Sequence, residues 1–148
     1  MPGDKIFVDT NILIYAYDVS AGKKYETAKT IMIDLWNSGR GILSIQVLEE
    51  FFVNITKKVS KPLEIKSAKD IIKDFLKWEV IILDGESLVE AIEIHVRYKY
   101  SFWDSMVLEA AQKGGASWLL SEDLLDGQTV DGVKIKNPFV HSTLQFLA

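Results

Sequence analysis

The chain has 148 residues, a formal net charge of −4, no cysteine and two histidines, and 48% of it is apolar. That length suits one domain burying roughly 70% of the surface its unfolded chain would expose, and no apolar run approaches the ~18 residues of a membrane span. The acidic balance excludes a protein that coats nucleic acid by bulk electrostatics, and the lack of cysteine excludes disulfides and thiolate chemistry.

Two histidines are little material for a zinc site, so any metal would be held by oxygen, which suits magnesium or manganese. The first residues show no signal-peptide pattern. A cytoplasmic protein with no membrane segment is the resulting expectation, folded as a single domain over 1–148.

In chain order, Lys5–Val8 is a short apolar run ending at Asp9, with Thr10 and Asn11 following as further helix N-cap types. This reads as a buried strand delivering an acid to the carboxyl end of a sheet, with a helix starting at once. After a break at Val19–Gly22, residues 23–37 carry Tyr25, Ala28, Ile31, Met32 and Leu35 at helical spacing, and Gly39 suits the helix end. Gly41–Ser44 is a second strand, and residues 46–59 form a helix striped by Val47, Leu48, Phe51, Phe52 and Ile55. The alternation predicts a parallel sheet.

Pro62 marks a break before a helix over 64–78, whose lysines and acids alternate on a solvated face. Val80–Leu83 is the third strand, followed by helices over 87–98 and from Ser101 to Gly114. Trp118–Leu120 is the fourth strand, and Ser121–Gly127 is an acidic loop. Asp131-Gly132 suits a tight hairpin turn, Val133–Ile135 an edge strand, and Asn137-Pro138 leads into a tail. The fold expected is α/β: three layers, α/β/α, with a central, mostly parallel sheet of four to five strands.

On that scheme Asp9 ends the first strand and Asp123 follows the fourth. Glu49 and Glu50 lie in the first turns of the helix after the second strand, and Asp104 lies in the first turn of another helix. Carboxylates gathered at one sheet edge repel unless cations join them, which points to a hard divalent ion. Each acid also has a simpler use. Asp9 can cap the next helix, Asp104 can close a capping box with Ser101, and Asp123 or Asp126 can serve turn chemistry. Periodicity does not choose between Glu49 and Glu50. Trp103 belongs to an apolar stripe with Met106 and Val107, which Asp104 borders, so packing is expected of it rather than stacking on a base. Lys57, Lys58, Arg97 and Lys99 are the cations considered for holding phosphates, and neither histidine is suitably placed for catalysis.

Five segments then carry a resemblance along nearly the whole chain: FVDTNILIY (7–15), SIQVLEEFF (44–52), YSFWDSMVLEAA (100–111), LLSEDLLDG (119–127) and NPF (137–139). In that order and spacing they resemble PIN-domain ribonucleases, the family that includes the VapC-type toxins of toxin–antitoxin pairs. The resemblance implies a PIN-like fold and hydrolysis of RNA phosphodiester bonds with Mg²⁺ or Mn²⁺. It places the acidic quartet, as catalytic and metal-binding residues, on Asp9, Glu50, Asp104 and Asp123. Asn11 and Ser121 fall on supporting positions; Glu122 stands where the family varies and is kept, with Asp126, as an outer-ligand candidate. It also implies a homodimer and a cognate antitoxin protein.

Two other readings share part of this pattern. A haloacid-dehalogenase-like phosphatase also places an Asp after its first strand but wants a second two residues on, where this chain has Asn11. A catalytically inactive PIN-like module for RNA binding or assembly would not need all four acids, and all four are present.

Overall fold

A computed structural model of the chain describes residues 3–141. Its elements run β1 (Ile6–Val8), α1 (Thr10–Tyr17), a short 3₁₀ turn, α2 (Lys23–Ser38), β2 (Gly41–Ser44), α3 (Ile45–Lys57), α4 (Ile65–Phe75) and β3 (Glu79–Ile81). They continue with α5 (Gly85–Tyr98), α6 (Phe102–Lys113), β4 (Trp118–Leu120), β5 (Thr129–Val130) and β6 (Val133–Lys136). The six-stranded sheet has the order β3-β2-β1-β4-β6-β5. Every pairing is parallel except β5 with β6.

This order positions the site. The chain steps from β1 to β2 to β3 in one direction and then crosses back to β4 on the far side of β1. Right-handed crossovers put α1–α4 on one face and α5 and α6 on the other. The direction of winding therefore switches between β1 and β4, and ligands of open α/β sheets bind at the carboxyl ends beside such a switch. β1 is buried at every residue, and Asp9 N–H bonds to the Leu120 carbonyl at 3.0 Å, locking the two strand ends together.

The helices bury the stripes that periodicity marks: Ala28, Ile31, Met32 and Leu35 on α2, and Val47, Leu48, Phe51 and Ile55 on α3. Phe7, Phe51 and Phe75 are among the largest fully buried side chains. Ser44 caps α3 by accepting from Val47 N–H at 3.2 Å, and Gly39 ends α2 at a φ of 72° that favours glycine.

Some expectations need correction. α4 stops at Phe75 rather than Trp78, because residues 76–78 turn so that the Trp78 ring packs edge-on to Phe75 at 5.1 Å. β3 consequently starts a residue early, at Glu79. β6 is not the sheet edge. Asp131 and Gly132, both at positive φ, make the tight turn expected of them and fold the two-residue β5 back against it. That hairpin accounts for the sixth strand. Among the described residues no helix is long and apolar enough to cross a membrane, and the tail beyond residue 141 lies outside them.

Candidate active site

At the carboxyl edge, beside the β1–β4 switch, lies a cavity of about 210 Å³ lined by Asp9, Glu50, Asp104 and Asp123 together with Asn11 and Gln46. Four elements deliver the four acids: the end of β1, the second turn of α3, the first turn of α6 and the loop after β4. Glu49 is exposed and does not line the cavity, whereas Glu50 does.

Asp9 is 5% exposed and its oxygens are occupied. One accepts the Thr10 N–H at 2.7 Å, capping α1. The other accepts from Ser121 Oγ at 2.7 Å and from Asn11 Nδ2 at 3.4 Å. The helix-cap reading and the active-site reading of Asp9 are thus compatible, since it caps α1 and faces the cavity at once.

Asn11 fastens α1 to the β4 loop. Its Nδ2 also reaches Asp123 Oδ2 at 3.1 Å, and its Oδ1 accepts the Glu122 N–H at 3.0 Å. Ser121 is fully buried, and its hydroxyl, besides donating to Asp9, accepts from Asp123 N–H at 3.2 Å. Across the cavity, Glu50 receives Gln46 Nε2 at 2.7 Å and Thr10 Oγ1 at 3.4 Å. Asp104 N–H bonds to Ser101 Oγ at 3.1 Å, the capping contact that its sequence position suggested.

The electrostatics follow from this crowding. Burial strips water from the Asp9 carboxylate and pushes its pKa up to about 7; the charges of Asp104 and Glu50 push the same way, against the hydrogen bonds from Ser121 and Thr10. The Asp104 carboxyl is also raised, first by burial and further by the charge of Asp123, while Ser101 opposes the shift. No Lys, Arg or His lines the cavity, so its negative charges meet only one another.

A hard divalent cation suits such an all-oxygen donor set. As they stand, no three His, Asp or Glu side chains among the described residues are disposed to hold one. The reason is local. The Asp9 oxygens are turned to Thr10, Ser121 and Asn11.

The remaining sequence candidates lie elsewhere. Glu122 accepts from Tyr15 Oη at 2.8 Å and pairs with Lys24. Asp126 accepts Asn137 N–H at 2.8 Å and faces His141 at 3.1 Å; the Asn137 bond heads the causes that lower its pKa. Neither lines the cavity, and neither do Lys57, Lys58, Arg97 or Lys99. Trp103 reverses the packing expectation. It lines the cavity and is 64% exposed, because the buried face of α6 starts further along, at Ser105, Val107 and Leu108.

Sequence reading missed Thr10, Gln46 and Asn54, all cavity residues. A signal for two of them existed: Gln46, Glu50 and Asn54 stand four residues apart, one polar stripe beside the apolar one on α3.

Comparisons with known proteins agree with this fold. The family model described as PIN domain matches residues 6–124. Comparison with curated protein sequences gives no match. Among solved structures, the chain resembles Mycobacterium tuberculosis VapC20, described as a Sarcin-Ricin loop cleaving toxin. The identity is 22% and the TM-score 0.60, over 78% of this chain and 87% of that one. A toxin–antitoxin complex from Klebsiella pneumoniae gives 20% identity and a TM-score of 0.65, over 90% and 98% of the two chains. The DNA-bound VapBC of Salmonella typhimurium gives 18% and 0.62, over 90% and 98%. At these identities the structures speak to the fold alone, and the family model covers most of the chain. This chain belongs to the PIN domain family.

Proposed function

We propose that the chain, as one nuclease domain over 1–148, is a divalent-metal-dependent endoribonuclease and the toxin of a toxin–antitoxin pair. The observation that carries this reading is the convergence of Asp9, Glu50, Asp104 and Asp123 on one cavity that has no basic residue in its lining. A phosphodiester entering that cavity would be repelled by every charge it met, so the site needs cations to accept RNA.

When bound, Mg²⁺ or Mn²⁺ supplies Lewis-acid polarisation of the scissile phosphate. The chain's own residues set the geometry. Thr10 N–H and Ser121 Oγ fix the Asp9 carboxylate, and Asn11 ties it to Asp123. Gln46 and Thr10 hold Glu50 across the cavity. Asp9 and Asp104 would hold the metal, with Glu50 and Asp123 completing a second site, and one of these carboxylates would orient or deprotonate the attacking water.

The antitoxin partner is supported by the toxin–antitoxin complexes among the structural neighbours. A homodimer acting in the cytoplasm completes the proposal.

The test is cleavage of a defined pool of tRNA, rRNA and mRNA fragments with Mn²⁺, mapping the cut ends for the parent and Asp9→Asn. The parent should cleave and a chelator should stop it. The variant should fold and lose more than the ~10–100-fold typical of disturbing an outer partner of a metal ligand. Equal cleavage by the variant would sink the site assignment.

A further inference from the structure

The Trp103 indole lines the cavity without holding any of its carboxylates. Trp103 leaves most of its indole in solvent yet lines the same cavity as Asp9 and Glu50. We propose that Trp103 is a stacking platform for a nucleobase of single-stranded RNA, seating the nucleotide next to the phosphate that reaches the acids. This rests on the ribonuclease reading and adds the substrate's contact to it.

The indole is placed rather than loose. The Phe102 ring meets it edge-on, with centroids 5.1 Å apart and planes at 72°. The Trp103 carbonyl accepts Gln46 Nε2 at 3.3 Å, and the same nitrogen lies 2.7 Å from Glu50 Oε1. One amide therefore links the indole-bearing backbone to a cavity acid.

The surroundings favour a base over a protein side chain. Beside the indole the cavity presents Gln46, Asn54, Glu50 and Asp104, polar groups that meet the edges of a base as readily as its face meets the ring. The exposed apolar residues suited to protein contacts lie on other elements, such as Leu88, Val89, Ile92 and Val96 on α5. With a net charge of −4, the chain also lacks the bulk attraction that holds RNA on basic proteins. Stacking supplies affinity without it, and every base has a face to offer.

The experiment compares the parent with Trp103→Ala and Trp103→Phe on a single-stranded RNA oligonucleotide whose cleavage by the parent with Mn²⁺ has been mapped. It repeats the comparison with an abasic nucleotide beside the cut, and measures equilibrium binding of both oligonucleotides. Trp103→Ala should raise KM and the dissociation constant about 5- to 150-fold with kcat little changed. Trp103→Phe should restore most of the loss, and the abasic oligonucleotide should bind parent and Trp103→Ala alike.

Parent-like KM and binding in Trp103→Ala overturn the proposal, as does an equal loss on the abasic oligonucleotide. If RNA binding is unchanged while light scattering shows Trp103→Ala losing a dimer, the indole is a protein contact and the base platform is wrong. A parent that neither binds nor cleaves RNA fails at the ribonuclease reading itself, and the platform falls with it.

Discussion

At the amino ends of the strands charges meet partners, whereas at the carboxyl ends like charges meet one another. Lys5, just before β1, pairs with Glu79 at the start of β3 at 2.9 Å. Beside them Trp36, Phe75 and Trp78 form an aromatic cluster with centroids 5.1–5.3 Å apart. Gly41 lies flat under Trp78, so close that an added Cβ would sit 2.1 Å from its ring. Across the sheet the same strands end in a cavity that gathers four acids and no base. One edge is arranged for stability, and the other keeps a repulsion that protonation or a bound cation would relieve. Functional sites are where such local conflicts are expected.

The largest effect on stability should come from Asp9. Its carboxyl titrates near 3.8 when unfolded and about 7 when folded, so between those values the folded state holds the extra proton. Stability without metal should therefore fall as pH rises from about 4 to 7, by about 4 kcal/mol, and level off above 7. Denaturant melts at pH 5 and pH 8 with a chelator present would show about 3 kcal/mol of the drop, and Asp9→Asn should remove most of it. A parent equally stable at both values would contradict the burial assigned to this group.

At the other edge Gly41→Ala forces Trp78 to move, and overpacking of that kind costs about 1–3 kcal/mol. Its melting midpoint should fall while the Mn²⁺ concentration for half-maximal cleavage stays put; a change in metal requirement would show that the edges are coupled. Lys5→Ala should do least. Both partners of its ion pair are nearly half exposed, so a loss within about 1 kcal/mol is expected in the same melts. A larger loss would mean that this edge depends on charge rather than on its aromatic cluster.

Much of this contrast was legible in the residues. The run Ile6–Val8 followed by three cap types marks both the strand and its delivered acid, and Asp131-Gly132 marks the hairpin. β5 was hidden because two residues cannot display an alternation, and β6 therefore looked like an edge. Glu49 and Glu50 could not be separated by periodicity, since neighbours 100° apart can both avoid the apolar stripe; the cavity separates them. Gln46 and Asn54 were overlooked because amides at helical spacing resemble any wet face. Trp103 reads as a packing residue because Met106 and Val107, at helical spacing from it, are apolar. Only the packing of α6 shows that the buried face begins beyond it.

The central claim is that the carboxyl edge is built around a cation, and thermal melts of the parent with and without Mn²⁺ at pH 7.5 test it most directly. Saturation near 100 times the dissociation constant stabilises by about 2.7 kcal/mol, which for a chain of this size raises Tm by roughly 5–10 °C. That rise should vanish in Asp9→Asn. A parent whose Tm does not respond to Mn²⁺, or a variant that responds as the parent does, would contradict the account.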